Sequence, residues 1–118
     1  MKIPNSILVC GTRYQVQLVR KLKSEGKSVW GCVQHGDTLI KIEAGLSPER
    51  QRTVLVHEVQ HAVETASCLD YAEITRPPDD ITDSLAQAWQ GVIANNPDLV
   101  TYLTCDAKAA PPSPKRQR

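Results

Sequence analysis

The sequence predicts an α+β domain in which a short N-terminal antiparallel sheet of three or four strands packs on two main C-terminal helices. Short apolar or alternating runs, separated by glycines, fill the first third of the chain. The second half instead carries apolar residues at helical spacing. With 118 residues, the chain is long enough for one domain with a real core.

Four segments of the first third are predicted to be strands, because their apolar residues form short runs or alternate at period two: residues 7–10, 14–18, 29–35 and 39–42. Gly36-Asp37-Thr38 predicts a tight hairpin between the last two. The charged segment 21–27 is interpreted as a turn around Gly26.

A long helix is predicted over residues 48–68. Ser47 is a favourable N-cap, Pro48 suits the first helical position, and Glu49 suits the positive end of the helix dipole. Apolar residues then recur at helical spacing: Leu55, Val59, Ala62, Val63 and Ala66. A second amphipathic helix is predicted over residues 79–95, and residues 98–103 are predicted to add one more helical turn that packs back.

One domain is predicted over residues 1–105, followed by a disordered tail over 106–118 that is rich in proline and basic residues. The formal net charge of +1 argues against a nucleic-acid partner, and the only N-terminal apolar run is too short for a signal peptide or membrane span. Four cysteines without a C-x-x-C pair are expected to be reduced and mostly buried, as in a cytoplasmic protein.

The segment from His57 to His61 has the form H-E-x-x-H on the first predicted helix. Residues four apart share a helix face, with Cβ atoms about 5–6 Å apart, so both imidazoles can reach one zinc ion. Glu58 is rotated by about 100° from His57, beside the metal, where it can act as a general base on water. The motif therefore predicts a zinc site in which Glu58 is catalytic.

A catalytic zinc ion usually has three protein ligands, so one is expected beyond His57 and His61. No histidine follows His61, which leaves a carboxylate, best placed on the second helix. A ligand about one and a half turns into that helix is level with the histidines, which favours Asp83. Other acids stay open as ligands: Asp79, which could instead cap the helix, and Asp80, Glu64, Asp70 and Glu73.

The remaining histidine, His35, ends the third predicted strand. A sheet edge next to a peptidase cleft can hold substrate as an added strand, so His35 is a candidate for substrate binding or oxyanion stabilisation. The alternative is a histidine that is simply exposed at a hairpin. Tyr71 and Tyr102 are further candidate donors to an oxyanion, with packing as the alternative.

A short N-terminal sheet, H-E-x-x-H on a helix, and a second helix with an acid before Leu85-Ala86 together resemble the ImmA/IrrE-like zinc metallopeptidases. The likeness is closest to the small stand-alone members of phages and prophages, and its most specific residues are His57, Glu58 and His61. It implies a zincin-like fold, zinc as cofactor, and a gluzincin-type ligand set of two histidines and a downstream acid. That acid is usually glutamate in the family, whereas this chain offers aspartates.

The motif and the resemblance predict a zinc-dependent metalloendopeptidase that hydrolyses a peptide bond in a cytoplasmic protein or peptide substrate. Two alternatives remain. In the first, a non-catalytic phage or prophage binding or regulatory protein uses the same zinc only to tie its helices together. In the second, a small interaction protein holds no metal, and the two histidines only pack.

Overall fold

The computed structural model describes residues 2–67 and 78–105. Within these ranges the strands are β1 Ser6–Val9, β2 Thr12–Val19, β3 Lys23–Ser24, β4 Lys27–Ser28, β5 Gly31–Gln34 and β6 Leu39–Glu43. The helices are α1 Pro48–Ala66, α2 Pro78–Asn95 and α3 Pro97–Thr104. The predicted α+β class is therefore confirmed, while the predicted tail from Asp106 lies outside the described residues.

The main sheet has the strand order β1-β2-β6-β5 and is mixed, so the prediction of an antiparallel sheet is wrong in one pairing. β1 with β2 and β5 with β6 are antiparallel, but β2 and β6 run parallel, with Val16 opposite Ile40. A parallel pair needs a crossover connection, and residues 20–38 supply it. β6 lies between β2 and β5, and its Ile40 and Ile42 side chains are both fully buried.

The segment predicted as a charged turn forms a second, two-stranded sheet from β3 and β4. Its turn residues Glu25 and Gly26 both have positive φ, at 52° and 79°, as a two-residue hairpin turn of type I′ requires. Leu22 is buried at the base of the hairpin and holds it to the body of the protein.

Helix α1 begins and ends close to its predicted bounds. The Ser47 hydroxyl accepts a hydrogen bond from the Arg50 amide at 3.2 Å, which satisfies one of the free N–H groups of the first turn. Pro48 occupies the first helical position, where its missing N–H costs nothing. No helix in the part of the chain that the structure describes is long and apolar enough to cross a membrane.

A single apolar core lies between the main sheet and the helices. Helix α1 packs across β5, β6 and β1, α2 packs on β1 and α1, and α3 packs on α2. The core consists of aliphatic side chains with two tyrosines: Ile7, Val9, Tyr14, Ile40, Ile42, Val54, Leu55, Val59, Ala62, Val63, Val92, Leu99 and Tyr102. On the opposite face of α1, His57 and His61 are exposed within the described ranges.

Asn96, between α2 and α3, is one of two buried polar residues in the described ranges. Its side-chain oxygen accepts from the Leu8 amide at 2.8 Å, and its amide nitrogen donates to the Leu8 carbonyl at 2.8 Å and the Val92 carbonyl at 2.7 Å. These bonds satisfy the polar groups of a buried amide. They fix the α2–α3 junction against edge strand β1.

The three described cysteines are less buried than the sequence predicts. Cys10 is exposed, and Cys32 and Cys105 are half-buried, so the prediction of mostly buried cysteines is wrong for these three. All three are free thiols. Cys68 lies outside the described residues.

Candidate metal centre

His57 and His61 lie one turn apart on the exposed face of α1, as the motif predicts. Their Nε2 atoms are 3.1 Å from each other, and the rings are nearly perpendicular, at 82°. Two nitrogens bound to one tetrahedral zinc ion, each at about 2.0–2.1 Å, are roughly 3.3 Å apart. The pair is therefore already close to the separation that a shared metal requires.

Glu58, the middle residue of the motif, is turned inward from the two histidines. Its side chain is only 7% exposed, against 66% for His57, and its Oε2 atom is 4.0 Å from the His57 Nε2 atom. Burial raises the pKa of the Glu58 carboxyl, and the neighbouring His57 and His61 partly offset this. A buried carboxylate whose pKa is raised is a better proton acceptor than a solvated one.

Gly31 at the start of β5 makes room for this carboxylate. A Cβ atom at Gly31 would lie 2.7 Å from the Val54 Cγ1 atom and 3.1 Å from the Glu58 Oε2 atom. A side chain at this position would force Val54 to shift and would crowd the Glu58 side chain. Edge strand β5 therefore lies in close contact with α1 beside the motif glutamate.

A cavity of about 530 Å³ opens next to Glu58 and His57, between the start of β5 and the first half of α1. Trp30, which is 54% exposed, forms one wall, and the Arg50 guanidinium lies 4.7 Å from the centre of its ring. Val29, Val54 and Thr53 complete a mostly apolar lining. The cavity can accept an apolar group whose neighbouring atoms reach the Glu58 carboxylate.

The expected third ligand is not joined to the histidines in the described ranges, where no three His, Cys, Asp or Glu side chains form a group that could hold a metal. Asp83 and the alternatives Asp79 and Asp80 lie on α2 with exposed side chains. Asp70 and Glu73 lie outside the described residues. Asp83 as a ligand stays a prediction, and the two imidazoles of His57 and His61 are the candidate ligands that the described ranges bring together.

Glu64, one of the candidate zinc ligands, contacts the side chains of His61 and Gln60 on the same helix. Its Oε1 atom is 3.1 Å from the His61 Nδ1 atom, on the far side of the ring from Nε2. Its Oε2 atom accepts from the Gln60 amide at 3.1 Å, and the Gln60 oxygen accepts from the Trp89 indole at 2.7 Å. The three- and four-residue spacings of Glu64 from His61 and Gln60 were visible in the sequence, but the link to Trp89 was not.

His35 lies at the end of β5, toward the C-terminal end of α1. Its Nε2 atom is 3.2 Å from the Thr65 hydroxyl and its Nδ1 atom is 3.3 Å from the Tyr14 hydroxyl. It does not line the cavity beside Glu58. Its role in substrate binding remains a prediction.

Of the two candidate oxyanion donors, Tyr102 is not brought to the site. Tyr102 lies in the core on α3, and its hydroxyl has no hydrogen-bond partner among the described residues. Tyr71 is outside those residues.

Comparison of the chain with protein-family models, curated proteins and solved structures found no match.

Proposed function

We propose that this protein is a zinc-dependent peptidase in which His57 and His61 hold the metal and Glu58 is the general base. The observation that carries the proposal is the 3.1 Å approach of two imidazole Nε2 atoms beside a buried carboxylate and an apolar cavity. Two surface histidines without a function are not expected to combine this short distance with a buried carboxylate and an adjacent cavity. The resemblance to ImmA/IrrE-like metallopeptidases agrees with this assignment.

The residues divide the work between binding and proton transfer. A zinc ion at this pair supplies Lewis acidity, which polarises a carbonyl group and lowers the pKa of water. The Glu58 carboxylate takes a proton from the attacking water and returns it to the leaving amine nitrogen as the C–N bond breaks. Its raised pKa makes it a stronger base than a solvated glutamate. The cavity lined by Trp30 and Val54 holds a side chain of the peptide or protein substrate.

The test combines metal analysis of the purified protein with cleavage of an unfolded protein substrate such as casein. Glu58→Gln is expected to keep its zinc and to lose about 10²- to 10⁴-fold in cleavage rate, because the amide cannot accept the proton. Glu49→Gln, a carboxamide substitution on the same helix outside the site, serves as the matched control. Cleavage by Glu58→Gln at the wild-type rate would remove Glu58 from the mechanism.

One observation favours a second function, a metal-stabilised binding protein. The described residues supply two histidines but no third ligand in reach. If ligands from outside the described ranges, or from a partner, fill the coordination shell, no open position is left for catalysis. Stoichiometric zinc with no hydrolysis of any protein substrate would select this alternative.

A further inference from the structure

A continuous chain of hydrogen bonds runs from α2 to the metal-facing ring of His61. The Trp89 indole donates to the Gln60 oxygen at 2.7 Å, and the Gln60 amide donates to the Glu64 Oε2 atom at 3.1 Å. The Glu64 Oε1 atom then lies 3.1 Å from the His61 Nδ1 atom. One series of hydrogen bonds thereby connects Trp89 on α2 with three side chains of α1, those of Gln60, Glu64 and His61.

The direction of every bond in this chain is fixed by chemistry. An indole N–H can only donate, so the carbonyl oxygen of Gln60 must face Trp89 and its NH₂ group must face Glu64. A carboxylate can only accept, so the proton between Glu64 and His61 must reside on the His61 Nδ1 atom. The neutral His61 ring is then left with an unprotonated Nε2 atom, which is the nitrogen 3.1 Å from His57.

We propose that Glu64 is a positioning residue that holds His61 in the tautomer required for metal binding, with Gln60 and Trp89 as its support. This inference rests on the proposed metal site and adds to it the group that prepares one ligand. Glu64 is 18% exposed and His61 48%, so the carboxylate lies behind the ring on the protein side. It therefore fixes both the protonated nitrogen and the orientation of the ring before metal arrives.

The same reasoning assigns the proton between the two histidines. Because the His61 Nε2 atom carries none, the His57 Nε2 atom must donate across the 3.1 Å contact in the metal-free protein. Metal binding then requires His57, but not His61, to change its tautomer. No described residue is hydrogen-bonded to the His57 Nδ1 atom. Of the two ligands, only His61 is therefore held in the metal-binding tautomer before metal binds.

The first experiment reads the tautomer directly, without metal. In the ¹⁵N-labelled full chain, at a pH where histidine is neutral, long-range ¹H–¹⁵N spectra are expected to show His61 with its proton on Nδ1. Glu64→Ala should move the proton population to Nε2, and Glu64→Gln, whose oxygen can still accept, should restore part of the wild-type signal. Asp98→Ala, a carboxylate removed from α3, is the control. An unchanged His61 signal in Glu64→Ala overturns the inference.

The second experiment measures zinc affinity by competition with a chromophoric chelator. Glu64→Ala is expected to weaken zinc binding by about 10- to 100-fold, as loss of a group that orients a ligand does. Gln60→Met keeps the length of the side chain but removes both hydrogen-bonding groups, and should weaken binding in the same direction even if Glu64→Ala fails to fold. The visible spectrum of bound Co²⁺ should change in both variants.

Different results would overturn the positioning role of Glu64 and the proposed peptidase function. A wild-type chain that binds zinc no more tightly than Glu64→Ala, although both bind it, overturns the positioning role and leaves the proposed peptidase intact. A wild-type chain that binds no zinc overturns the proposed function and this inference together.

Discussion

The absence of a side chain at Gly31 leaves room for the Val54 and Glu58 side chains of α1. Gly31→Ala places a methyl group against Val54 and Glu58, and overpacking of this kind costs about 1–3 kcal/mol of stability. Because the Glu58 carboxylate must move, cleavage should fall as well. Denaturant unfolding and the cleavage assay measure the two effects. Gly36→Ala is the control, since a Cβ atom there meets nothing within 4 Å; equal losses in both variants would contradict the crowding argument.

Two core tyrosines differ in the fate of their hydroxyl groups. The Tyr102 hydroxyl has no partner among the described residues, whereas that of Tyr14 lies 3.3 Å from the His35 Nδ1 atom. Tyr102→Phe is therefore expected to raise the free energy of unfolding by about 1 kcal/mol, and Tyr14→Phe to lower it by about the same amount. Chemical denaturation of both variants checks this. Destabilisation by Tyr102→Phe would reveal an unrecognised partner.

The residues of the site were predictable to different degrees. The motif identifies His57, Glu58 and His61 because the spacing itself specifies their geometry on a helix. It does not reveal that Glu58 is the buried member, since its burial depends on Gly31 in a distant strand. Glu64 was considered only as a ligand because a sequence shows that an acid is near a histidine but not which ring nitrogen it faces.

At the scale of elements, Glu43 ties the end of β6 to the base of the β3–β4 hairpin. Its carboxylate accepts from the Leu22 amide at 2.8 Å and the Gly45 amide at 3.0 Å, and these bonds lower its pKa. The unfolded chain thus binds the proton more readily than the folded one. The stabilisation is present above the ordinary glutamate pKa and is lost as pH falls through the lowered value.

Glu43→Gln should therefore be less stable than wild type at pH 7, and the difference should narrow as the pH falls below about 4.5, the ordinary value for glutamate. Urea unfolding across this pH range is the measurement. Glu25→Gln, at the exposed tip of the hairpin, is the control. A gap between Glu43→Gln and wild type that is constant with pH would exclude the carboxylate as its source.

Among the elements, helices were easier to predict than strand directions. Ser47, Pro48 and the apolar spacing define α1 locally, because capping and amphipathicity act within one segment. The parallel pairing of β2 with β6 depends on residues far apart in the chain, and period-two alternation is the same for either direction. The β3–β4 hairpin was missed because its strands have only two residues each.

At the scale of the whole molecule, a metal that binds only the folded state must stabilise it. Zinc at about 100 times its dissociation constant adds about 2.7 kcal/mol, which raises the midpoint of thermal unfolding by roughly 10–20 °C for a domain of this size. A chelator should reverse the shift, and His57→Ala should abolish it. Differential scanning calorimetry with and without zinc is the measurement; identical midpoints would argue against a metal site formed on folding.

The two edge strands of the main sheet differ, because the Asn96 side chain is hydrogen-bonded to one of them. This side chain is hydrogen-bonded to both the N–H and the C=O group of Leu8 in β1. At this edge a side chain therefore takes the place of a further strand. The other edge strand is β5, which begins beside the motif glutamate. If a peptide substrate adds a strand to this sheet, we expect it to pair with β5, which would bring the peptide backbone next to Glu58 and His57.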